Sequence, residues 1–335
     1  MNLPPPLRKL LWPLSLLYGA GVRARVWLYA HRWFKQKRLN ATVISVGNLT
    51  VGGTGKTPMV IWLAEKFVAD GKRVAILSRG YRGRNGTSDE IELMKFRLEG
   101  RVSFGVGKDR FAEGHRLESR QPTDVFLLDD GFQHLQLARD LDILLMDASR
   151  PLAGEHLLPA GRLREPVAAM SRANLIIFTR ADTASGTLEA IAKLNHYPVF
   201  AASTRLLGFR RLGGETNRLS ANEIGAGPFF AFCGLGNPDA FLGDLENWGL
   251  AICGQAIYPD HHRYTQRDIL EVRQAGKRAG TNAFVTTEKD AQNLGALNFE
   301  EHPVYVAVID LLVTPEADFR NVLDQTLAAG RGAAA

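Results

Sequence analysis

The sequence predicts an α/β fold in which a mostly parallel sheet carries helices on both faces and a second, smaller α/β unit follows. Three observations predict it. Short β-branched and apolar runs, TVISV (42–46), RVAIL (73–77), VFLL (125–128), DILLM (142–146) and NLIIF (174–178), alternate with longer helical or irregular stretches. Such runs are strands buried on both faces and joined by crossovers. The alternation restarts beyond about Pro198 with GPFFAFCGLG (227–236), LAICGQAIYPD (250–260), NAFVTTEKD (282–290) and PVYVAVIDL (303–311). Apolar residues make up 45% of the 335 and charged residues 23%, enough for one large packed domain or two ordinary ones, and bulk disorder is ruled out. The expected organisation is an N-terminal segment over 1–38, a first domain over 39–205 and a smaller one over 206–335. Two cysteines, Cys233 and Cys253, are too few for a disulfide framework or a four-cysteine zinc site and fit a reducing, cytosolic setting.

The N-terminal segment is basic and apolar at once. No carboxylate precedes Glu65, whereas nine of the 41 lysines and arginines do. The rest of the chain holds 32 basic against 35 acidic residues, so the net charge of +6 belongs to this segment alone. The run LLWPLSLLYGAGV (10–22) is thirteen residues long and contains Pro13, short of the roughly twenty needed to cross a bilayer. Arginines follow it in place of a small-residue cleavage site, which argues against a secretory leader. Leu10, Leu14, Leu17 and Gly21 recur at helical spacing, Trp12, Trp27 and Trp33 lie nearby, and bases flank both ends. That is the make-up of a helix lying on an anionic membrane surface. A helix packed on the domain with solvated bases is the alternative. A nucleic-acid footprint is disfavoured, because no recognition motif accompanies the charge.

The first strand runs into GNLTVGGTGKTP (47–58) and then into the helical pattern MVIWLAEKFVADG. Strand, glycine-rich turn and helix form the context of a P-loop, so the first domain reads as P-loop NTPase-like. Thr50, Val51, Gly52, Gly53, Thr54 and Gly55 would wrap the phosphates of a nucleotide such as ATP, with Lys56 on the β- and γ-phosphates and Thr57 on Mg²⁺. Thr50 stands where the usual pattern has glycine, which makes this the compact G-G-x-G-K-T variant.

Ligands on parallel sheets gather at the carboxyl ends of strands. After the second strand, Arg79 and Arg82 lie in a glycine-interleaved loop suited to a phosphate, or to a solvated turn. After VFLL come Asp129 and Asp130, a Walker-B arrangement whose adjacent charges call for a cation; Asp147, after DILLM, is a rival. Asp89-Glu90 reads on its own as a surface acid or helix cap. Arg164-Glu165, in LLPAGRLREP (157–166), is either a structural ion pair or faces the phosphates. Asp260-His261-His262 follows a strand of the second unit without enough partners for a metal site, and Thr287-Glu288-Lys289-Asp290 either caps a helix or reads a nucleotide base.

Taken in order, GNLTVGGTGKTP, SRGYRGR (78–84), Asp89-Glu90, LLDDGFQH (127–134), LLPAGRLREP, YPDHH (258–262) and VTTEKDA (285–291) closely resemble the tetraacyldisaccharide 4′-kinase family, over about residues 10–295. The resemblance implies two α/β/α domains joined by a hinge, with the P-loop in the first and a cleft between them. It implies a peripheral enzyme on the cytoplasmic face of the inner membrane. Such an enzyme passes the γ-phosphate of ATP, with Mg²⁺, to the 4′-hydroxyl of a tetraacylated glucosamine disaccharide 1-phosphate, giving lipid IVA. Asp89 matches the family's base and His261 its partner, Asp129 and Asp130 the acidic pair near Mg²⁺ and the reacting phosphate, and Arg164 and Glu165 an arginine–glutamate element. Ala153-Gly154-Glu155 departs from the family's usual turn, so no role is placed there. With Asp89 and His261 in different halves, domain closure is expected to assemble the site. A membrane-recruited switch ATPase or GTPase explains the loop and the helix but leaves Asp89 and the Asp-His-His segment idle, and a nucleic-acid-stimulated ATPase is a further rival.

Overall fold

The structure, a computed structural model, describes residues 4–80, 88–150, 152–181, 198–214, 217–295, 297–300 and 302–332. Contacts divide the chain into two compact units, one of residues 1–86, 98–203 and 311–335 and the other of residues 87–97 and 204–310.

In the first unit, β1 (Thr42–Asn48) is buried at all seven positions, as its β-branched composition demands. It lies between β4 (Val125–Asp129) and β5 (Leu141–Asp147), parallel to both. β2 (Val74–Ser78) and β3 (Ser103–Val106) extend the sheet beyond β4, and β6 (Leu175–Thr179) and the start of β7 (Val199–Arg211) extend it beyond β5. The register sets Val46 opposite Asp129 and Asn48 opposite Leu145, so the carboxyl ends of β1, β4 and β5 share one edge. α2 (Lys56–Ala69) buries Met59, Ile61, Trp62, Leu63 and Phe67, while α4 (Arg110–Glu118) is capped by the Asp109 side chain accepting from Ala112 N.

The second unit holds β8 (Phe229–Cys233), β9 (Ile252–Ile257), β10 (Phe284–Thr287) and the start of β11 (Val304–Thr314), parallel in the order β11-β10-β8-β9. α5 (Ala221–Ile224), α6 (Pro238–Asn247), α7 (Gln266–Arg278) and α8 (Glu288–Leu294) complete it. Phenylalanines 209, 229 and 241 fill one core cluster and Phe230, Phe232, Phe284 and Phe299 another.

Two segments depart from the expected boundaries at 39–205 and 206–335. Residues 311–335, with α9 (Glu316–Gly332), belong to the first unit, because Phe319 is fully buried against Trp62 and Phe200. Most of α3 (Asp89–Leu98) belongs to the second, anchored by buried Arg97, whose Nη1 donates to Glu288 Oε2 and Ile309 O at 2.9 Å each.

α1 (Pro5–Ala30) runs unbroken through Pro13, which forfeits one intrahelical hydrogen bond without ending the helix. It docks on the first unit through small and polar residues. Ser15 Oγ donates to Leu157 O (3.0 Å) and accepts from Ala160 N (3.0 Å), Tyr18 Oη donates to Arg164 O (2.8 Å), and Gly19 packs where a Cβ would stand 2.6 Å from Leu157. Most of its leucines face outward: Leu10 is 73% and Leu17 71% exposed, Trp12, Leu14, Leu16 and Trp27 are exposed beside them, and Leu11 and Leu28 are half-buried. Among the described residues no helix is long and apolar enough to cross a membrane.

Candidate active site

The glycine-rich turn leaves β1 at a place where only glycine fits. A Cβ on Gly47 would lie 2.5 Å from Phe132 Cβ, so β1 and the turn after β4 are in direct contact. Gly55, at φ +81°, is the N-cap of α2 and turns the chain so that Lys56 begins the helix. The loop is laced to the 157–166 segment: Val51 N donates to Arg162 O (2.8 Å) and Arg164 N to Leu49 O (2.7 Å).

Lys56 Nζ donates to Asn48 Oδ1 at 3.3 Å and stands 3.6 Å from Asp130 Oδ1. Arg164 Nη1 grips both Asp130 oxygens, at 2.8 and 2.6 Å. The cation that the aspartate pair calls for is therefore supplied to Asp130 by the protein. Its enclosure acts to raise the carboxyl, but Lys56, Arg164 and Arg110 outweigh it and hold Asp130 below the ordinary carboxylate value. Asp129 is buried and accepts from Ser78 Oγ at 3.2 Å. The rival Asp147 is tied to Arg180 and to Ser149 Oγ, so of the two it is the Asp129–Asp130 pair that reaches the P-loop lysine. Glu165, 3% exposed, pairs with Arg172 at 2.7 Å and is a structural ion pair.

Arg79 is exposed, and Arg82 lies outside the described residues. Burial first, then the charges of Arg110, Arg139 and Arg25, push His134 down to about 4. Asn48 Nδ2, Thr54 Oγ1, Gln133 Oε1 and His134 Nε2 are buried without a hydrogen-bond partner among the described residues. Such atoms suit a bound triphosphate and its hydrated cation. Thr57, in the first turn of α2, and buried Asp129 carry oxygen atoms of the kind Mg²⁺ takes.

The second cluster is built entirely within the second unit. Ser88 precedes α3 and accepts from Ile91 N, and Asp89, at the first helical position, turns its carboxylate to His261. His261 Nδ1 lies 2.9 and 3.0 Å from the two Asp89 oxygens, while Nε2 is 3.7 Å from Glu90 and 3.9 Å from Asp260, beyond hydrogen-bond distance. Asp89 and His261 thus meet without any movement of one unit on the other, which corrects the expectation that closure brings them together. Asp89, Glu90 and His261 bring one donor-type atom each within 4.8 Å of one another, and Lys289 stands beside them, 2.6 Å from Asp260 Oδ1 and 3.7 Å from Asp89 Oδ2.

The hydrogen bond to Asp89 raises the His261 imidazole above 6.5, against burial and Lys289, with the Asp89 and Glu90 charges adding to the rise. Burial works to raise Asp89, yet the His261 bond, the charges of Lys289 and His261 and a backbone hydrogen bond from Glu90 keep it below the ordinary carboxylate value. An ionised carboxylate thus fixes one ring nitrogen and leaves the other to accept a proton.

Sequence reasoning missed Asn48, Arg110, Lys289 and Asn293. Asn48 and Lys289 lie inside quoted motifs. Thr287-Glu288-Lys289-Asp290 does cap a helix, since Thr287 Oγ1 accepts from Asp290 N, but the same turn also delivers Lys289 to the cluster.

The family model described as tetraacyldisaccharide-1-P 4′-kinase matches residues 7–328. The tetraacyldisaccharide 4′-kinase of Geobacter metallireducens is 39% identical, over 95% of this chain and 98% of its own length. That of Geobacter sulfurreducens is 38% identical, over 93% and 92%. Among solved structures, LpxK from Aquifex aeolicus in complex with ATP is similar with a TM-score of 0.75 and 30% identity, covering 96% of this chain and 99% of its own. Agreement of this extent leaves one assignment: the chain belongs to the tetraacyldisaccharide 4′-kinase family.

Proposed function

We propose that the protein transfers the γ-phosphate of ATP to the 4′-hydroxyl of a tetraacylated glucosamine disaccharide 1-phosphate, forming lipid IVA. The observation that carries the reading is the 2.9 Å bond between Asp89 and His261 Nδ1, because a nucleotide switch needs no proton acceptor of this kind. The relatives' names supply the substrate class.

In this reading the loop Thr50–Gly55 holds the triphosphate, and Lys56 leaves Asp130 and Asn48 for its β- and γ-oxygens. Asp130 and Arg164 flank the transferring group. Thr57 and Asp129 would hold Mg²⁺, which when bound neutralises charge on the phosphate oxygens. The resemblance gives Asp89 as the base and His261 as its partner; in the present reading the roles are divided so that His261 Nε2 takes the sugar hydroxyl proton while Asp89 fixes the imidazole and stabilises its protonated form. The two domains close about a hinge to bring phosphate and hydroxyl together and exclude water.

The outward leucines of α1 support attachment to the cytoplasmic face of the inner membrane. A helix serving only the protein core buries its leucines; this one buries Ser15 and Gly19 instead. Exposing the acyl chains of the substrate costs ~0.8 kcal/mol per CH₂, so catalysis at the interface avoids extracting it.

The test is direct. Purified protein given γ-labelled ATP, Mg²⁺ and the disaccharide phosphate in micelles yields a labelled, doubly phosphorylated glycolipid. Slow ATP hydrolysis with no labelled lipid would return the chain to the switch-protein reading.

A further inference from the structure

We propose that Lys289 is the positioning residue of the Asp89–His261 pair, a built-in ammonium that holds Asp89 and the Asp260-His261 turn in the geometry for proton transfer. The inference rests on the kinase reading above. Its basis is the way α8 grips the cluster. Glu288 accepts from Arg97 of α3 at 2.9 Å. Asp290 accepts from Gly234 N (2.8 Å), at the end of β8, and from Tyr264 Oη (3.0 Å), just past the histidines. Asn293 Nδ2 reaches Asp89 at 3.4 Å. These three side chains tie α8 to α3, to the end of β8 and to Tyr264, and the Lys289 side chain is only 17% exposed.

Lys289 then makes the two contacts that matter for the acid–imidazole pair. Its 2.6 Å bond to Asp260 holds the residue directly before His261, and its 3.7 Å approach to Asp89 steadies the carboxylate that orients the ring. The turn needs such a hold, because His261 sits at φ +63°, a conformation a non-glycine residue keeps only when its surroundings enforce it. Charge balance asks for the same residue. Asp89, Glu90 and Asp260 surround one imidazole, and uncompensated carboxylates in partly buried positions repel one another. Burial alone lowers a lysine, but Asp260, Asp89 and Glu90 outweigh it here and keep Lys289 charged.

The charged and titratable groups facing the pair are Asp89 and Glu90 from α3, Asp260 from the turn, and Lys289 from α8, with Asp290 beside it. Removing the ammonium lets both Asp89 and His261 hold a proton more tightly, so the acid limb of kcat moves to higher pH.

The full-length Lys289→Met, Lys289→Gln and Lys289→Arg proteins are assayed beside the wild type with ATP, Mg²⁺ and the glycolipid in micelles, with Tm as the check on folding. A neutral variant that folds is expected to lose about 100-fold in kcat, with its KM for ATP within about threefold of the wild type. Its acid limb rises by about one pH unit. Lys289→Arg keeps the limb in place and recovers at least about tenfold of the loss. Unchanged kcat, or a loss with an unmoved acid limb, overturns the assignment. Should neither neutral variant fold, Lys289→Arg decides: a limb at the wild-type position sustains the proposal and a displaced one overturns it. A wild-type enzyme that labels no lipid overturns the kinase reading instead, so the two failures are distinct.

Discussion

Each unit of this protein places a lysine at the start of a helix and against carboxylates, yet the two lysines are built for different tasks. Lys56 opens α2 and is held loosely, 3.3 Å from Asn48 and 3.6 Å from Asp130. Lys289 is the second residue of α8 and is held tightly, 2.6 Å from Asp260. A lysine that must move onto a phosphate cannot be locked to an acid, whereas one that organises a proton acceptor must be. The contrast makes its own demand on experiment. Lys56→Ala should cost the most of any change here, about 10³-fold or more in kcat, and should weaken ATP binding measured by calorimetry while leaving the acid limb of the pH profile unmoved. Were ATP affinity and turnover both retained, the comparison would collapse, because the loosely held lysine would have no phosphate to meet.

The next effect belongs to the other side of the comparison. Asp89→Asn should lower kcat by about 100-fold with little change in ATP affinity. The direction of the pH effect separates the two members of the pair. Neutral imidazole is the acceptor, and the Asp89 hydrogen bond, with the Asp89 charge, raises its proton affinity, so wild-type activity falls as pH drops through a value above 6.5. In Asp89→Asn that bond to a charge is gone, burial and Lys289 dominate, and the acid limb moves down. If Asp89 itself took the proton, the same substitution would abolish the limb rather than displace it.

How much of this was legible in the sequence follows from the same contrast. The P-loop could be read because its strand, turn and helix are contiguous: Gly47, Gly55 and Lys56 carry their meaning within ten residues. The buried strands could be read because β-branched runs need no distant partner to be recognised. The Asp89 cluster could not be read from local pattern. Its members are 172 residues apart in the chain, and Asp89 alone looks like a helix cap. Only the family resemblance brought Asp89 and His261 together, and it said nothing of Lys289. The two segments that part from the expected boundaries do so for a related reason. Phe319 and Arg97 each find their partners far away in sequence, Trp62 for one and Glu288 for the other, and pattern reading assigns a segment to its neighbours.

The Arg97–Glu288 pair gives the third way to press the comparison, now through stability. Their side chains are 8% and 5% exposed, and burial pushes the Glu288 carboxyl up despite Arg97. Arg97→Met strands the carboxylate and should cost about 3 kcal/mol in denaturant unfolding. Glu288 then holds its proton more tightly still, and the deficit grows as pH rises and the stranded acid is forced to ionise. If the loss were no larger than that of an exposed pair such as Arg267–Glu271, α3 would not depend on this anchor and Asp89 would owe its place to its own contacts with His261, Lys289 and Asn293.

The smallest expected effect concerns a region outside both lysine sites. α1 keeps Ser15 and Gly19 against the 157–166 segment and turns Leu10, Leu14 and Leu17 outward. Replacing those three leucines by serine leaves the docked face untouched, so folding and turnover on micellar substrate should stay at wild-type values. On substrate embedded in anionic vesicles the same protein should lose about tenfold in rate and float less with the lipid, because three leucines no longer bury apolar surface in the interface. The distinction between carriers is what gives the experiment its force. A loss on micelles and vesicles alike would mean that the leucines serve the fold, while equal flotation and equal rates on vesicles would mean that the exposed stripe meets no membrane. Because Tyr18 on this helix donates to the carbonyl of Arg164, and Arg164 grips Asp130, the docked face is also a route from the helix to the phosphate site. Tyr18→Phe tests that link separately from lipid binding: it should leave flotation unchanged and alter turnover by only a few fold, the cost of one hydrogen bond.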